Sequence, residues 1–321
     1  MESALIYEVK PQALDDGPGI RTAVHFKGCP LRCSWCNTPE GKRLGPEVAF
    51  DKGACQRCGA CSEVCPVDAI DTSRWPAVDH ELCTGCYACV EACPHEALTK
   101  LGVPLSEIVQ AAAICRDMPF WRVSGGGVSF TGGEPTLHMA AAGKLARKLQ
   151  KRGAHVLLQT CGHFDLQEYD ELLGPWVDTL FYDLKLMNGE AHEHYCGIDN
   201  QRILENFVLL NRRAHRGELD LVPRIPMVPD VTSTPANLRS LAAFLKSQRV
   251  PRVSLLLYDH DWAHRLKGLG REPPEGPFMD TPWMTKMELW IARGYFRGIE
   301  LVRPDGKSRI RKEVSLGALL Q

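Results

Sequence analysis

Eleven of the fourteen cysteines in this chain of 321 residues fall in three clusters between positions 29 and 93. The first cluster, in the stretch Gly28 to Cys36, has the spacing CxxxCxxC. The other two begin at Cys55 and Cys83, and each has the spacing CxxCxxCxxxCP. Inside a cell, cysteines clustered this tightly are typical of metal sites rather than of disulfides. The fold must therefore bring each group of thiols together, and the sequence predicts a protein organised around metal centres.

The overall composition excludes several classes of function. The formal net charge is -1, and both signs are scattered along the chain, so no basic stripe is available for nucleic acid or for an anionic membrane. The first residues do not form a cationic and then apolar leader, and no apolar run has the length of a membrane span. We therefore expect a cytoplasmic protein with no nucleic-acid partner and no membrane association.

The first cluster has the ligands for a metal centre with an open position. Three thiolates from one loop, those of Cys29, Cys33 and Cys36, can bind three irons of a 4Fe-4S cluster and leave the fourth iron without a protein ligand. A structural zinc loop is the alternative, but structural zinc sites normally have four cysteine or histidine ligands. An open metal position indicates chemistry rather than a purely structural role.

This loop also carries the first family resemblance. The CxxxCxxC spacing with an aromatic residue, Trp35, just before the last cysteine resembles the radical S-adenosylmethionine (SAM) superfamily. The flanking segments DGPGIR, from Asp16 to Arg21, and CNTPEG, from Cys36 to Gly41, resemble the activating enzymes of glycyl radical enzymes, such as those of the pyruvate formate-lyase activating enzyme type. A plain structural turn is the alternative for DGPGIR, because it contains two glycines and a proline.

The resemblance implies an oxidoreductase of anaerobic metabolism. Such an enzyme cleaves SAM reductively to a 5'-deoxyadenosyl radical, which abstracts hydrogen from the α-carbon of one backbone glycine in a partner glycyl radical enzyme. The hard chemistry belongs to the cluster and SAM, while the protein binds and orients them.

The second and third clusters repeat each other and have the spacing of bacterial ferredoxins, in which the fourth cysteine of one half ligates the cluster of the other half. Resemblance to two-cluster ferredoxins implies two further 4Fe-4S clusters, one on Cys55, Cys58, Cys61 and Cys93 and the other on Cys65, Cys83, Cys86 and Cys89. A pair of zinc ribbons, the alternative, would need CxxC pairs separated by longer stretches. The implied cofactors are therefore three 4Fe-4S clusters and SAM.

Strand-like and helix-like segments alternate outside this repeat. We predict strands at Thr22–Phe26 and in the runs that begin at Gly127, His155, Thr179, Leu219 and Val253. We predict helices over Leu105–Arg116, His138–Arg152, Leu204–Arg213, Ala236–Ser247 and Lys286–Phe296. Such alternation predicts an α/β fold with a parallel sheet, in which ligands bind at the carboxyl ends of the strands.

The resemblance implies a more specific architecture. It is a partial (β/α)6 TIM-like radical SAM barrel formed by residues 1–44 and 102–321, interrupted by an α+β ferredoxin-like domain at residues 45–101.

Two motifs at predicted strand ends match family positions that hold SAM. In TGGEP, Gly132 and Gly133 would let a ligand approach the backbone and Glu134 would accept from an ammonium, whereas a simple Gly-Gly turn is the alternative. Asp183 and Lys185 match the DxK pattern of the fourth strand and should share one face of it. For this pair, a buried salt bridge is the alternative.

Further SAM contacts follow from the resemblance. They include Trp35, and Thr160 of QTCGH, which matches the threonine of the family's DTxG stretch. Gln159 stands where that stretch has aspartate, so a charge that a cation site beside SAM would use is missing. His260 lies near a strand-end histidine of the family, with Asp259 an alternative offset by one residue and a surface histidine another. The isolated cysteines Cys115, Cys161 and Cys196 are predicted to be ordinary packed thiols.

The implied partners are a glycyl radical enzyme as protein substrate and a flavodoxin or ferredoxin as electron donor. The two extra clusters would then be an electron relay, or else a docking or structural module. Two other functions are open to such a sequence: a radical SAM enzyme with auxiliary clusters that modifies a peptide or small molecule, and a non-catalytic ferredoxin-type carrier. The carrier function leaves the three-cysteine loop, GGE and DxK without a purpose.

Overall fold

The computed structural model describes residues 4–73, 78–106, 113–259, 261–274, 276 and 284–304. Within them the strands are β1 (Leu5–Ala13), β2 (Arg21–Phe26), β3 (Glu47–Phe50), β4 (Leu98–Leu101), β5 (Val103–Pro104), β6 (Gly127–Gly132), β7 (His155–Thr160), β8 (Thr179–Asp183), β9 (Asp220–Met227), β10 (Arg252–Leu257) and β11 (Glu300–Val302). The α-helices are α1 (Ala60–Glu63), α2 (Ala88–Ala92), α3 (Met118–Ser124), α4 (Met139–Gln150), α5 (Leu166–Leu172), α6 (Gly189–Cys196), α7 (Gln201–His215), α8 (Pro235–Ser247), α9 (Asp261–Gly268) and α10 (Lys286–Tyr295).

One nine-stranded sheet organises most of the chain, in the order β11-β10-β9-β8-β7-β6-β2-β1-β5. Neighbours from β2 to β11 are parallel, whereas β1 pairs antiparallel with both β2 and β5. Parallel neighbours need crossover connections, which the helices between them provide. The predicted α/β fold with a parallel sheet is confirmed, and β1, β5 and β11 extend the sheet beyond the six predicted strands.

The helix predictions agree with the structure where it can be compared. Helices α4, α7, α8 and α10 begin and end within three residues of the predicted bounds. Thr234 caps α8, since its hydroxyl accepts a hydrogen bond from the Asn237 backbone nitrogen at 3.3 Å and Pro235 follows it. The helix predicted over Leu105–Arg116 lies mostly outside the described residues. Helices α1, α2, α3, α5, α6 and α9 were not predicted.

The main core lies between the sheet and its helices. Strand β2 is buried along its whole length, and Phe26, Phe130 and Leu158 from three neighbouring strands contribute to one continuous cluster of apolar side chains. Amphipathic helices such as α8 cover this core through Leu241 and Leu245.

A second buried cluster lies past the carboxyl ends of the strands, and we call it the strand-end cluster. It consists of Leu31, Cys33, Trp35, Cys161, Leu186, Cys196, Val228, Val231, Tyr258, Trp262 and Leu266.

The segment between β2 and β5 carries a small sheet of its own, in which β3 and β4 pair antiparallel. Its buried residues, among them Val48 and Leu98, form a separate cluster with several cysteines. A buried ion pair joins this sheet to the large one, because Lys27, directly after β2, donates to Glu47 of β3 at 2.7 Å. Arg271 also pairs with Glu47.

No α-helix among the described residues has both the length and the apolarity that crossing a membrane requires.

Candidate active site

The first cysteine cluster lies in a loop, residues 28–36, that leaves the end of β2 and crosses the strand ends. We call it the cysteine loop. Two backbone hydrogen bonds join it to the end of α6: Arg32 donates to the carbonyl of Cys196 at 2.7 Å, and Ser34 donates to that of Tyr195 at 3.0 Å. The Lys42 ammonium donates to the carbonyl of Cys33 at 2.9 Å. These bonds fix the loop from both sides.

The TGGEP motif packs against the cysteine loop backbone to backbone. The Glu134 nitrogen donates to the carbonyl of Gly28 at 2.7 Å. A Cβ atom on Gly133 would lie 2.2 Å from that carbonyl oxygen and 2.4 Å from the one of Gly41, in the PEG turn. The sequence interpretation expected this glycine to make room for a ligand. At Gly133 the space is instead filled by the protein's own backbone, so this glycine is needed to seat the cysteine loop.

Glu134 and Thr160, each predicted as a SAM contact, are joined directly by a hydrogen bond. The Glu134 side chain is almost fully buried, at 1% exposure. Its Oε1 accepts from the hydroxyls of Thr136 at 2.8 Å and Thr160 at 2.9 Å, while Oε2 accepts from the backbone nitrogen of Cys161 at 2.6 Å. A carboxylate offers about four acceptor positions. Oε2 therefore keeps capacity for a further donor, such as an ammonium.

Asp183 and Lys185 also meet, although not as two residues of one strand. Strand β8 ends at Asp183, so Lys185 lies two residues past its end. The Lys185 ammonium lies 3.3 Å from Asp183 Oδ2, and the Arg224 guanidinium of β9 donates to Oδ1 at 2.9 Å. Burial alone would raise the pKa of Asp183, but the charges of Arg224 and Lys185 outweigh it and hold that pKa below its ordinary value.

Arg224 is a site residue that the sequence reasoning missed. The available signal was a lone arginine within the apolar run at Leu219 to Val228. Its side chain is buried against the ring of Phe181, with the guanidinium carbon 5.2 Å from the ring centroid. A charged residue in a buried strand needs a partner, and Asp183 is that partner.

Gln159 links this pair to the DGPGIR segment. Its Oε1 accepts from Thr131 and Arg224, both at 3.0 Å, and its amide nitrogen donates to Asp16 Oδ1 at 3.1 Å. An aspartate at this position could not donate to Asp16 and would place two carboxylates side by side. The side-chain amide of Gln159 therefore suits this position better than a carboxylate would, because its nitrogen can donate to Asp16. The positive charges next to Asp183 are those of Arg224 and Lys185.

The end of β10 reaches the same region. Tyr258 is buried in the strand-end cluster and accepts a hydrogen bond from the Trp262 indole at 2.9 Å. Trp35 packs in this cluster too, with its ring centroid 6.1 Å from that of Tyr195. The predicted contact at His260 lies outside the described residues. Trp35 is thus placed by packing beside the loop cysteines.

The eight remaining motif cysteines line two neighbouring cavities. Cys55, Cys58, Cys61 and Cys93 line one, together with Phe50 and Leu98. The other is lined by Cys65, Cys83, Cys86 and Cys89, together with Val67 and Tyr87. Four thiols around a small apolar cavity fit a 4Fe-4S cube. Each cavity takes its fourth cysteine from the other half of the repeat, as the ferredoxin resemblance implies.

Comparison with known proteins agrees with these features. The family model of the 4Fe-4S binding domain matches residues 48–71 and 76–99. The choline trimethylamine-lyase activating enzyme of Oleidesulfovibrio alaskensis is 34% identical over 94% of this chain and 98% of its own length. The isethionate sulfite-lyase activating enzyme of Nitratidesulfovibrio vulgaris is 32% identical over 91% of this chain and 96% of its own length. The trans-4-hydroxy-L-proline dehydratase activating enzyme of Clostridioides difficile is 33% identical over 88% of this chain and 93% of its own length. This chain belongs to the radical SAM activating enzymes of glycyl radical enzymes.

The activating enzyme acts on another protein, a glycyl radical enzyme, and uses SAM and a 4Fe-4S cluster. A solved domain of the pyruvate-formate lyase-activating enzyme from Bacteroides vulgatus aligns with 56% of this chain at 24% identity and a TM-score of 0.41.

Two cysteines outside the motifs lie against the cysteine loop of this activating enzyme. They were predicted to be ordinary packed thiols, and both are buried; they pack in the strand-end cluster with Cys33, and Cys29 packs against the same cluster. The neighbouring Cys196 thiol lowers the pKa of Cys33 to about 7, while burial raises that of Cys36 to about 11. Both neighbours are distant along the chain, so no local pattern could have shown them.

Proposed function

We propose that Cys29, Cys33 and Cys36 hold the SAM-cleaving cluster of this activating enzyme and leave one iron open for SAM. The observation that carries this proposal is the convergence at one end of the sheet of the cysteine loop, Glu134 and the Asp183–Lys185 pair. When both cofactors are bound, an electron from the cluster cleaves SAM to the 5'-deoxyadenosyl radical, which takes hydrogen from the partner's glycine.

The surrounding side chains suit the charged groups of SAM. Glu134 Oε2 and Asp183 are acceptors for its ammonium, and Lys185 is a donor for its carboxylate. Thr160 orients Glu134 through its hydroxyl. Trp35, Gly132 and Gly133 shape the wall beside the cysteine loop, and His260 is proposed as a further contact after β10.

The test is anaerobic incubation with SAM and a strong reductant. We expect 5'-deoxyadenosine to form, and we expect Cys36→Ala to abolish it while the iron of the other clusters is kept. A wild-type protein that contains all its iron and yet forms no 5'-deoxyadenosine would contradict the assignment. The same experiment separates this function from that of a non-catalytic electron carrier.

For the rest of the chain we propose an α+β ferredoxin-like domain at residues 45–101. It would interrupt a partial (β/α)6 barrel of residues 1–44 and 102–321. The separate β3–β4 sheet and the unbroken series of parallel strands from β2 to β11 support this division. The two cysteine-lined cavities support two 4Fe-4S clusters in the insert, which makes three clusters in all.

The insert is proposed to relay electrons from a flavodoxin or ferredoxin to the SAM-cleaving cluster. Cys58 and Cys86, one in each cavity, are exposed, so a donor protein could approach either cluster. The ion pair of Lys27 and Glu47 joins the insert to the strand that leads into the cysteine loop. Such a junction suits electron transfer, because it would hold the insert against the sheet that carries the cysteine loop.

Changing Cys58 and Cys86 together to alanine tests the relay. We expect turnover with the protein donor to fall sharply, while turnover with a small chemical reductant persists. Cys115→Ala is the matched control, because Cys115 lies away from both cavities against Arg152. Full turnover of the double variant with the protein donor would refute the relay.

The partner enzyme is proposed to be a glycyl radical lyase or dehydratase. Relatives at 32–34% identity are named for partners acting on isethionate, choline and hydroxyproline. Because the three sequence identities are nearly equal, all three kinds of partner are candidates. Candidates also include enzymes that act on glycerol or on aryl acetates. Mixing the activating enzyme, SAM and reductant with each candidate should give an organic radical in electron paramagnetic resonance (EPR) with the true partner alone.

A further inference from the structure

The two halves of the cysteine repeat differ at two equivalent positions. Arg57 of the first half corresponds to Gly85 of the second. In the same way, Gly59 corresponds to Tyr87. All four residues have positive φ angles, between 58° and 82°. A side chain strains the backbone at such a φ, because its Cβ comes close to a carbonyl oxygen, whereas glycine fits without strain. Each half therefore keeps one strained residue that carries a side chain.

The strain at Tyr87 has a reason inside the fold. Its hydroxyl donates to the carbonyl of Leu101 at 2.8 Å, and its ring packs against the apolar cluster of the insert. The side chain of Arg57 is exposed, and it lies next to Cys58, the one exposed cysteine of the first half. Strained residues cluster at functional sites, and an exposed side chain can reach a partner. Arg57 is therefore a candidate for contact with another molecule.

Charge also distinguishes the two cysteine-lined cavities. We call the cavity of Cys55, Cys58, Cys61 and Cys93 the first cavity and that of Cys65, Cys83, Cys86 and Cys89 the second cavity. Arg57 and His95 line the first cavity, whereas no basic side chain among the described residues lines the second. Glu63 and Glu96, which are exposed near the first-cavity cysteines, are acidic. The cation of Arg57 thus marks one spot beside Cys58 rather than a broad basic face.

The second cavity lies at the end of the β3–β4 sheet that is joined to the large sheet. Tyr87, which lines it, bonds to Leu101, and Leu101 pairs with Glu47 of the ion pair that joins the insert to β2. Phe50 and Leu98, paired at the opposite end, line the first cavity. Phe50 is three residues along β3 from Glu47, about 10 Å in an extended strand. An electron that enters at the first cavity can therefore pass through the second on its way to the cysteine loop.

We propose that the cluster of the first cavity receives the electrons, and that Arg57 docks the electron-donor protein by pairing with a carboxylate beside the donor's redox centre. This inference rests on the proposed relay and names the side of the insert at which the relay begins. The reduced donor loses one electron and the 4Fe-4S cluster of the first cavity gains it, with no bond formed or broken. Charges at the rim of an interface act mainly on the encounter of the two proteins and on its salt dependence.

The test measures anaerobic 5'-deoxyadenosine formation by the complete enzyme, with saturating SAM, against the concentration of a reduced flavodoxin of acidic surface. Arg57→Gln should raise the KM for flavodoxin about two- to fivefold, as expected for the loss of one exposed ion pair. The difference should disappear at high salt. Arg57→Lys keeps the charge and should stay near the wild type. The kcat and the rate with a small chemical reductant should not change.

Lys100→Gln is the matched control, because it removes the same charge beside the second cavity. The Lys100 ammonium lies 5.4 Å from the centroid of the Tyr87 ring. We expect this variant to keep the wild-type KM for flavodoxin. Arg57→Gly should raise the KM as Arg57→Gln does, and it should need at least as much urea to unfold as the wild type, because glycine relieves the strain at a positive φ.

Different results would refute the docking site and the relay. An unchanged KM in Arg57→Gln, or an equal rise in Lys100→Gln, would refute docking at Arg57. A lower stability of Arg57→Gly would show that the arginine serves the fold, and it would refute the proposal as well. The relay itself fails if turnover with flavodoxin survives in Cys58→Ala/Cys86→Ala, whatever the Arg57 variants do.

Discussion

Replacing Glu47 by leucine should loosen the junction between the insert and the large sheet. The carboxylate is 2% exposed, and its Oε2 lies 2.7 Å from the ammonium of Lys27, which is fully buried. In Glu47→Leu that ammonium keeps the carbonyl of Glu40, at 2.9 Å, as its one remaining hydrogen-bond partner among the described residues. Removing one partner of a buried ion pair costs about 3–5 kcal/mol, because the other charge is left without compensation. We therefore expect the free energy of unfolding to fall by about this amount.

The double variant Lys27→Met/Glu47→Leu should recover most of the loss, because it removes both buried charges and leaves two apolar side chains in contact. Replacing a whole buried pair in this way is often neutral or stabilising. Arg271 would lose its partner as well, but its side chain is 21% exposed and can turn toward water. Single and double variants thus separate the cost of an unpaired charge from the value of the pair.

The pH dependence of the single variant has a definite sign. Burial already lowers the pKa of Lys27, with Glu47 opposing this effect. Without Glu47 the folded-state pKa falls further below the unfolded value of about 10.4. Between the folded and the unfolded pKa of Lys27, the unfolded state binds more protons than the folded state, so the free energy of unfolding rises with pH. The deficit of Glu47→Leu should therefore shrink as pH rises toward about 10.4.

Anaerobic urea unfolding, followed by tryptophan fluorescence and by the visible absorbance of the clusters, measures these differences. Glu81→Ala is the control, because Glu81 is 82% exposed and pairs with Arg43 at the surface. Exposed pairs contribute about 0–1 kcal/mol. The reasoning is refuted if Glu47→Leu costs no more than Glu81→Ala, or if the double variant is no more stable than the single one.

Three further predictions concern the sites directly. Gly133→Ala should lower the iron bound by the cysteine loop, because its Cβ would lie 2.2 Å from a backbone carbonyl oxygen of that loop. The control Gly294→Ala, which has open space around its Cβ, should leave the measured iron content unchanged. Asp183→Asn should cost about 1.5–3 kcal/mol at pH 7 in urea unfolding, since hydrogen bonds to a charged group are lost. Because the folded pKa of Asp183 is lowered, this deficit should begin to shrink as pH falls below about 3.9 and should vanish only below the folded pKa, and a deficit that stays constant with pH would disprove the reasoning. Cys65→Ser should remove the same cluster, by iron content and EPR, as Cys83→Ser, and loss of different clusters would exclude the proposed sharing.

The predictable part of the fold rests on local patterns. The strands β6, β7 and β10 and the helices α4 and α8 follow from short-range periodicity and from caps such as Thr234. Strand β11 has three residues, and β1 carries a mixed polar sequence with a proline, so neither has a periodic signal strong enough to identify it. Their pairing depends on neighbours that are distant along the chain.

The metal chemistry could be predicted from the sequence alone, because cluster ligands must be closely spaced thiols and the spacing of the three clusters can be counted directly. The sequence also indicated Glu134, Thr160, Asp183 and Lys185 through strand-end motifs. What surrounds these residues depends on the tertiary structure: Arg224 lies on Asp183, Cys161 and Cys196 pack beside the cysteine loop, and Glu47 lies on Lys27. These contacts join residues far apart in the chain, which become neighbours because the strands that carry them pair in one sheet.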